Sequence, residues 1–509
     1  MNRPITESPK VLEEIVLDEE PALTTMSRFA PMIIGFALLM QTLDATVISN
    51  ALPTMARSLH EDPLTLNLAI TSYLLSSAVF LPISGWVADR FGAKVVFRAA
   101  MILFAASSLL CGASHTLMEL VGARMIQGMA GAMMAPVGRL VLLRSVPKHD
   151  LVRAMSYLTM PALLGPVIGP PLGGFIVTHA SWRWIFYINI PICIVGVTLV
   201  SIFIQNIKEE TREPLDWRGF FLTGLGLASL VYGFENVGRG ALPASAVAGM
   251  LIGGAALLGV YVWHARRTQY PLLDLSVLRL RSFMTSNVGG VFLRMAMGAT
   301  PFLLAMLLQM GFGLSALEAG LITFTSAAGA LLMKTTARPI INRLGFKHVL
   351  VWNTVITGVI FMSYSLFRQS TPHYLIIITL LVGGFFRSLQ FTAMQALTYA
   401  DVPQEKMSRA SSLASMAQQV SQSLGIGFAA ILLTTLRGAH HSTVLQARDV
   451  SPAFLFIGAM TLLGLFFFIP LPANVGAEVS GKRFADRGAK GEVPTKSEVE
   501  TELATAEAD

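Results

Sequence analysis

Apolar residues run through this chain in blocks of about twenty, separated by short polar and basic stretches. The blocks fall at about 29–51, 65–85, 95–114, 117–142, 152–177, 185–205, 217–235, 244–264, 284–309, 316–336, 347–367, 373–399, 409–435 and 453–471. At ~1.5 Å of rise per residue, each such block as a helix reaches across a hydrocarbon core of about 30 Å. The pattern predicts an all-α integral membrane protein with fourteen transmembrane spans. Outside the blocks, residues 1–28 are polar and locally acidic, without the basic start and small-residue cleavage site of a signal peptide. Residues 472–509 read as a charged, disordered tail.

The loops give the orientation, because Lys and Arg near span ends stay cytoplasmic. Loops after even-numbered spans hold most of them, such as Arg90, Lys94 and Arg98, or Arg338, Arg343 and Lys347; loops after odd-numbered spans hold only Arg57, Arg183, Arg239, Arg368, Arg437 and Arg448. Both termini are therefore expected in the cytoplasm, which requires an even number of spans. An internal repeat adds to this. Gly85-Trp-Val-Ala-Asp-Arg-Phe-Gly-Ala-Lys-Val-Val96 aligns with Arg338-Pro-Ile-Ile-Asn-Arg-Leu-Gly-Phe-Lys-His-Val349, so that Arg90, Gly92, Lys94 and Val96 meet Arg343, Gly345, Lys347 and Val349. The copies follow spans 2 and 10, eight apart. Two equal six-span halves would put them six apart, so two spans are extra. The expected division is a six-span bundle over 29–205, a two-span central insertion over 206–270, and a six-span bundle over 271–471.

Composition excludes the alternatives. With 53% hydrophobic and only 13% charged side chains over 509 residues, the chain lies far from the roughly 25% charge of soluble domains. Its net charge of +7 is spread over the loops rather than gathered in a patch, which argues for a bilayer and against nucleic acid. Cys111 and Cys193 stand alone within apolar blocks, so they suggest neither a metal site nor a disulfide framework. There is no P-loop and no loop long enough for a catalytic domain. The chain therefore reads as no enzyme, with no cofactor, and uphill transport would draw on an ion gradient.

Several stretches carry a family resemblance. Gly85-Trp-Val-Ala-Asp-Arg-Phe-Gly-Ala-Lys94 resembles the G-x-x-x-D-R-x-G-x-K/R loop signature of the major facilitator superfamily. Leu43-Asp-Ala-Thr-Val-Ile-Ser-Asn-Ala-Leu-Pro53 is similar to the span 1 signature of its fourteen-span drug:proton antiporters (EmrB/QacA-type), with Ser49 in place of Asn. Arg124-Met-Ile-Gln-Gly-Met-Ala-Gly-Ala132 resembles their span 4 signature with an altered ending. Gly165-Pro-Val-Ile-Gly-Pro-Pro-Leu-Gly-Gly174 resembles the span 5 antiporter motif, and Trp182-Arg-Trp-Ile-Phe-Tyr-Ile-Asn-Ile-Pro191 resembles the approach to span 6. The resemblance implies the major facilitator fold, two six-helix bundles plus two extra central helices, in a bacterial plasma (inner) membrane. It implies proton-coupled efflux of amphipathic drugs or toxic metabolites by alternating access. A small-molecule substrate and protons are the implied partners, to a chain that works as a monomer and could engage periplasmic adaptor proteins. A proton-coupled importer, or a non-transporting sensor on the same fold, are the alternatives. In the family, the loop motif of Gly85, Asp89, Arg90, Gly92 and Lys94 is implicated in conformational switching.

An ionisable group inside a span is costly and usually faces a cavity or a partner. Asp44 is the only acid well inside a span of the first half. It and Arg124 each lie about seven residues from the outer end of their span, roughly 10 Å deep, so a pair is geometrically feasible. One reading makes Asp44 the proton site, with Arg124 favouring its ionised form in one conformation and withdrawing that influence in another. The other makes the pair a permanent tie between spans 1 and 4. Gly165, Gly169, Gly173 and Gly174 offer a small-residue stripe for close packing, while Pro166 and Pro170 bend the span. Arg294 and Arg387 fall near the midplane with no evident acidic partner; either they bind an anionic or polar substrate group, or, the slightly favoured reading, they hydrogen-bond helix carbonyls, and with Gln127 they are the candidates for lining a substrate cavity. Lys334 is expected to snorkel from an inner span end, and Glu235 and Glu318 to lie at outer ends.

Overall fold

The computed structural model describes residues 25–61, 66, 68–204, 213–237, 242–439 and 447–480. Among these, contiguous helical segments group into fourteen long stretches. We number them α1 (Thr25–Leu59), α2 (Leu68–Phe91), α3 (Ala93–Ala113), α4 (Leu117–Ser145), α5 (Leu151–Ala162, resuming as Gly165–His179), α6 (Trp184–Phe203) and α7 (Trp217–Asn236). There follow α8 (Ala244–Ala265), α9 (Arg281–Gly311), α10 (Ala316–Leu344), α11 (Phe346–Leu366), α12 (His373–Thr398), α13 (Met407–Ala439) and α14 (Ala447–Phe468). Eleven are long and apolar enough to cross a membrane by length and composition. The other three are α5, split by its break, α7, whose ends carry Arg218, Glu235 and Asn236, and α10, which carries Glu318, Lys334, Arg338 and Arg343. Large apolar side chains face outward around the molecule, Ile252 at 71% and Phe466 at 75% exposure among them. A surface this apolar is one that lipid covers.

The helices run past their apolar blocks at several ends. Hydropathy marks where lipid is tolerated, while helical hydrogen bonding continues into the polar flanks. The largest difference lies at Gly85–Lys94, where the glycines suggest a tight-turning loop. Residues 84–91 are instead the last turns of α2, and the whole reversal is made at Gly92, whose φ of 91° only glycine adopts cheaply. Gly345 makes the same turn between α10 and α11 at φ 79°. The repeated sequence thus folds twice into the same helix–glycine–helix joint. The expected tail also begins late. Val475 and Val479, four residues apart, are buried, and Ala477–Ser480 packs against both α5 and α10. Residues 1–24 and 481–509 lie outside the described set.

Helices α1 to α6 pack among themselves, as do α9 to α14. The two groups meet mainly at the end where the basic loops lie: α13 rests on the last turns of α2 and on α4, and α10 and α12 rest on the first segment of α5. Helix α7 lies between α2 and α13, with α8 on its outer side. Gly224 allows the fit to α2, since a Cβ there would stand 2.7 Å from the Val79 carbonyl oxygen. Only 17% of the apolar stretch of α8 is buried, against 78% for α4.

Candidate functional site

Four helices converge on Asp44. Arg124 Nη1 on α4 donates to Asp44 Oδ2 at 2.7 Å, and Gln127 Nε2, one turn further, donates to Oδ1 at 3.0 Å. Asn189 Nδ2, at the start of α6, reaches Oδ1 at 2.8 Å. Ser108 on α3 accepts from Gln127 at 2.8 Å and from Asn189 at 3.3 Å. The guanidinium is held on its other sides by the Ala69 carbonyl (3.1 Å), the Gln127 carbonyl oxygen (2.6 Å) and the Tyr73 ring, 4.4 Å from its carbon. Every polar member is sealed, with Asp44 and Arg124 each 1% exposed and Gln127, Asn189 and Ser108 at 0%. Three donors converge on a carboxylate that has only acceptor oxygens, which is the pattern an ionised carboxylate needs. A buried charge pair is tolerable only when its own charged atoms are satisfied in this way; within the cluster Asn189 Oδ1 is left without a partner.

Arg124 lies seven residues into α4, at the depth its sequence position suggests. Asp44 lies deeper in its own helix than expected, because α1 continues to Leu59, fifteen residues or ~22 Å of helix further on. Asn189, Ser108 and Tyr73 are not evident as site residues from sequence. Only Asn189 had a signal, its place in the Trp182–Pro191 motif. Gln127, a candidate for a substrate cavity, bonds within this cluster.

On the opposite face of α1, two positions either side of Asp44, Thr42 and Thr46 meet α5. A Cβ at Gly165 or Gly169 would fall onto the Thr42 or the Thr46 hydroxyl, and one at Gly173 would stand 2.8 Å from the Val47 carbonyl oxygen. Gly174 has open space instead and is not part of the stripe. The proline at 166 has no N–H and leaves the Ala162 carbonyl without its helical donor. The Thr42 hydroxyl fills that place at 3.1 Å, and Thr46 donates to the Gly165 carbonyl at 3.2 Å. The helix breaks at Leu163–Leu164 accordingly. The side chains of Pro166 and Pro170 lie outside the described set. The aspartate motif of α1 and the glycine motif of α5 are thus two sides of one helix contact.

At the basic end, Asp89 accepts from Arg144 at 3.1 Å and from Ser408, at the start of α13. A carboxylate there also faces the positive end of that helix. Ser84 and Ser412 hydroxyls meet at 2.9 Å, and Gly85 lets α13 approach, since its Cβ would lie 2.8 Å from the Ser408 carbonyl oxygen. Lys94 caps the end of α6 through the Ser201 carbonyl at 2.8 Å, while Arg90 stays half-exposed. The segments flanking α7 and α8 join this contact. Glu213 pairs with Arg409 and takes the Trp86 indole N–H on its carbonyl at 3.1 Å; Asp274 pairs with Lys406 at 3.1 Å. Partial burial works to raise the Asp274 carboxyl, but the Ser276 donors and the Lys406 ammonium hold it below the usual range.

A cavity of about 100 Å³ lies between the two groups of helices, lined among others by Gln41, Arg139, Ser415, Gln418 and Gln419. Arg139 on α4 is 8% exposed, and its Nη1 donates to the Tyr399 hydroxyl (3.2 Å) and the Ser415 hydroxyl (3.1 Å) of the opposite group. Sequence position did not single it out, since it reads as one more basic residue near the end of a span. Arg294 is 1% exposed, bonds the Asn287 carbonyl at 3.3 Å, and keeps an unsatisfied Nε. It is near enough to Tyr399 and Arg139 to interact with both electrostatically. Arg387 is half-buried beside Tyr364, and it is not among the cavity's lining residues. Lys334 does not snorkel; it turns inward, 7% exposed, onto the Thr392 hydroxyl at 2.7 Å. Glu318 closes a capping box with Ser315 at the start of α10.

Comparison with known proteins places this architecture. The family model of the Major Facilitator Superfamily matches residues 34–280 and 287–499. A Serratia proteamaculans (strain 568) protein bearing the name multidrug resistance protein MdtD is 38% identical over 455 residues, 89% of this chain and 94% of that protein. Its namesake from Yersinia pestis (strain Pestoides F) is 38% identical over 464 residues, covering 91% and 98%. Among solved structures, the human organic anion transporter MFSD10 (TETRAN) superposes with a TM-score of 0.61 at 15% identity, over 87% of this chain and 99% of that one. The proton:xylose symporter XylE, bound to 6-bromo-6-deoxy-D-glucose, does so at 0.63 and 14%, over 90% and 99%. At such identities the two structures speak for the fold alone. The chain belongs to the Major Facilitator Superfamily, as its fourteen-span drug:proton antiporter motifs implied, and is a membrane transporter rather than an enzyme.

Proposed function

We propose that this transporter exports amphipathic small molecules, drugs or toxic metabolites among them, in exchange for protons. It sits in a bacterial inner membrane with fourteen spans and both termini cytoplasmic. The observation that carries the reading is the sealed carboxylate of Asp44, ionised in its bonding pattern and tied to Arg124, Gln127 and Asn189. To take up a proton Asp44 must lose at least one of these donors. All of them stand on α4 and α6, so protonation and a shift of α1 against those helices are one event. On its other face α1 is locked to α5 through Thr42, Thr46 and the glycine stripe. A shift of α1 therefore carries α5 with it, and the first segment of α5 is where α10 and α12 rest. That chain of contacts couples the proton to the rocking of α1–α6 against α9–α14. The basic end is held closed through Asp89, Ser84 and Arg139. The names of the MdtD relatives support efflux of drugs.

Everted membrane vesicles energised with an inside-acid gradient test this. The expected result is accumulation of substrate against its gradient, with alkalinisation of the lumen when substrate is added. Accumulation under the opposite pH gradient would identify an importer, and movement indifferent to pH would remove the coupling.

A further inference from the structure

The charges at the cavity do not balance, and the imbalance has one sign. Arg139 stands in the cavity wall with neutral hydroxyls as its described partners, and no Asp or Glu is among the described residues that line the cavity. Arg294, 1% exposed and with its Nε unpartnered, lies within electrostatic reach of Tyr399 and Arg139. The nearest deep acid in the first six helices, Asp44, is sealed against Arg124 on the far side of α4 and cannot serve them. A buried cation without a counter-charge is expensive, and the cost falls when an anion arrives. An ammonium ligand would instead add a third positive charge to a low-dielectric space. Gln41, Gln418 and Gln419 supply neutral donors and acceptors around it.

We propose that the cavity between the two groups of helices binds amphipathic organic anions, whose carboxylate, sulfonate or phosphate sits on Arg139, with Arg294 reinforcing the field through Tyr399. Arg139 is then the residue that sets the charge specificity of the transporter. This deepens the reading of the cavity as a substrate site. The exchange of one monovalent anion outward for one proton inward moves two positive charges into the cell. Export would accordingly be driven by membrane potential as well as by the pH gradient.

The purified full chain in detergent is titrated with carboxyfluorescein, as an anionic probe, and with ethidium, as a cationic one. Binding is followed by fluorescence anisotropy, and flux of the same probes is followed in proteoliposomes. Carboxyfluorescein is expected to bind more tightly than ethidium. Arg139→Gln should weaken the anion by about tenfold or more, and Arg139→Lys by less. Because Arg139 also bridges α4 to α13, Gln418→Glu is a second variant. It leaves the bridge intact, places a negative charge in the cavity, and should weaken the anion while improving ethidium. Equal affinity for both probes, or anion affinity unchanged in both variants, would overturn the proposal. Anion binding that depends on Arg139, accompanied by flux indifferent to protons, would uphold this inference while removing proton coupling.

Discussion

The two groups of helices treat buried charge in opposite ways. In α1–α6, Asp44 and Arg124 neutralise one another, and Gln127, Asn189 and Ser108 satisfy most of what remains. In α9–α14, Arg294 and Lys334 are buried within helices on a carbonyl and a hydroxyl, Arg387 is half-buried, and the buried acid among the described residues of this group, Asp449, lies at the start of α14. A finished network holds a structure in one state and releases it on a single chemical event. An unfinished one waits for a ligand. The contrast suggests a division of labour, with proton chemistry in the first six helices and anion attraction supplied from the last six, the cavity with Arg139 lying between.

The sharpest way to break the comparison is to remove one cation from each group. Arg124→Leu leaves Asp44 ionised and unpaired and should lower unfolding free energy by about 3–5 kcal/mol, seen as a large fall in the thermal midpoint in detergent. Arg294→Met removes a charge that has no partner acid and should be neutral or stabilising. Equal losses in both would mean that Arg294 has a counter-charge in the resting protein. The glycine stripe gives the next effect. Gly165→Ala sets a Cβ onto the Thr42 hydroxyl and should cost about 1–3 kcal/mol with loss of transport, while Gly174→Ala, facing open space, should leave both unchanged. Should the two behave alike, the stripe is not what holds α1 to α5. Thr42→Val is smaller, removing the hydroxyl that serves the Ala162 carbonyl; a loss of about 1 kcal/mol is expected in thermal unfolding. Asp274→Asn, at a half-buried carboxylate of the basic end whose partner Lys406 has its side chain 41% exposed, should change stability by less than about 1 kcal/mol, since a pair with one exposed partner is screened.

The apolar blocks and the loop charges made the helices legible, because lipid imposes a length and a composition on every span. The pairing of Asp44 with Arg124 was legible for a related reason: deep charges are rare, so few partners are available. What stayed hidden depended on helix rotation rather than depth. Ser108, Asn189 and Tyr73 are ordinary residues of apolar helices until α3, α6 and α2 turn them toward Asp44. Arg139 sits only six residues before the end of α4 and looks like a basic residue of the loop that follows, yet it faces α13. Gln127, three residues from Arg124 on the same face, bonds within the ion pair's network. The repeat is what led the sequence to two extra spans, but the place of α7 between α2 and α13 rests on its glycines, whose pattern names no partner.

The account rests on Asp44 being the group that exchanges its proton when substrate binds. Substrate added to the purified protein in weakly buffered detergent solution should displace the proton from those molecules that hold one on Asp44, measured as proton release with a pH dye. Asp44→Asn should release none while still binding substrate. Proton release of wild-type size from Asp44→Asn would contradict the account and place the coupling site elsewhere.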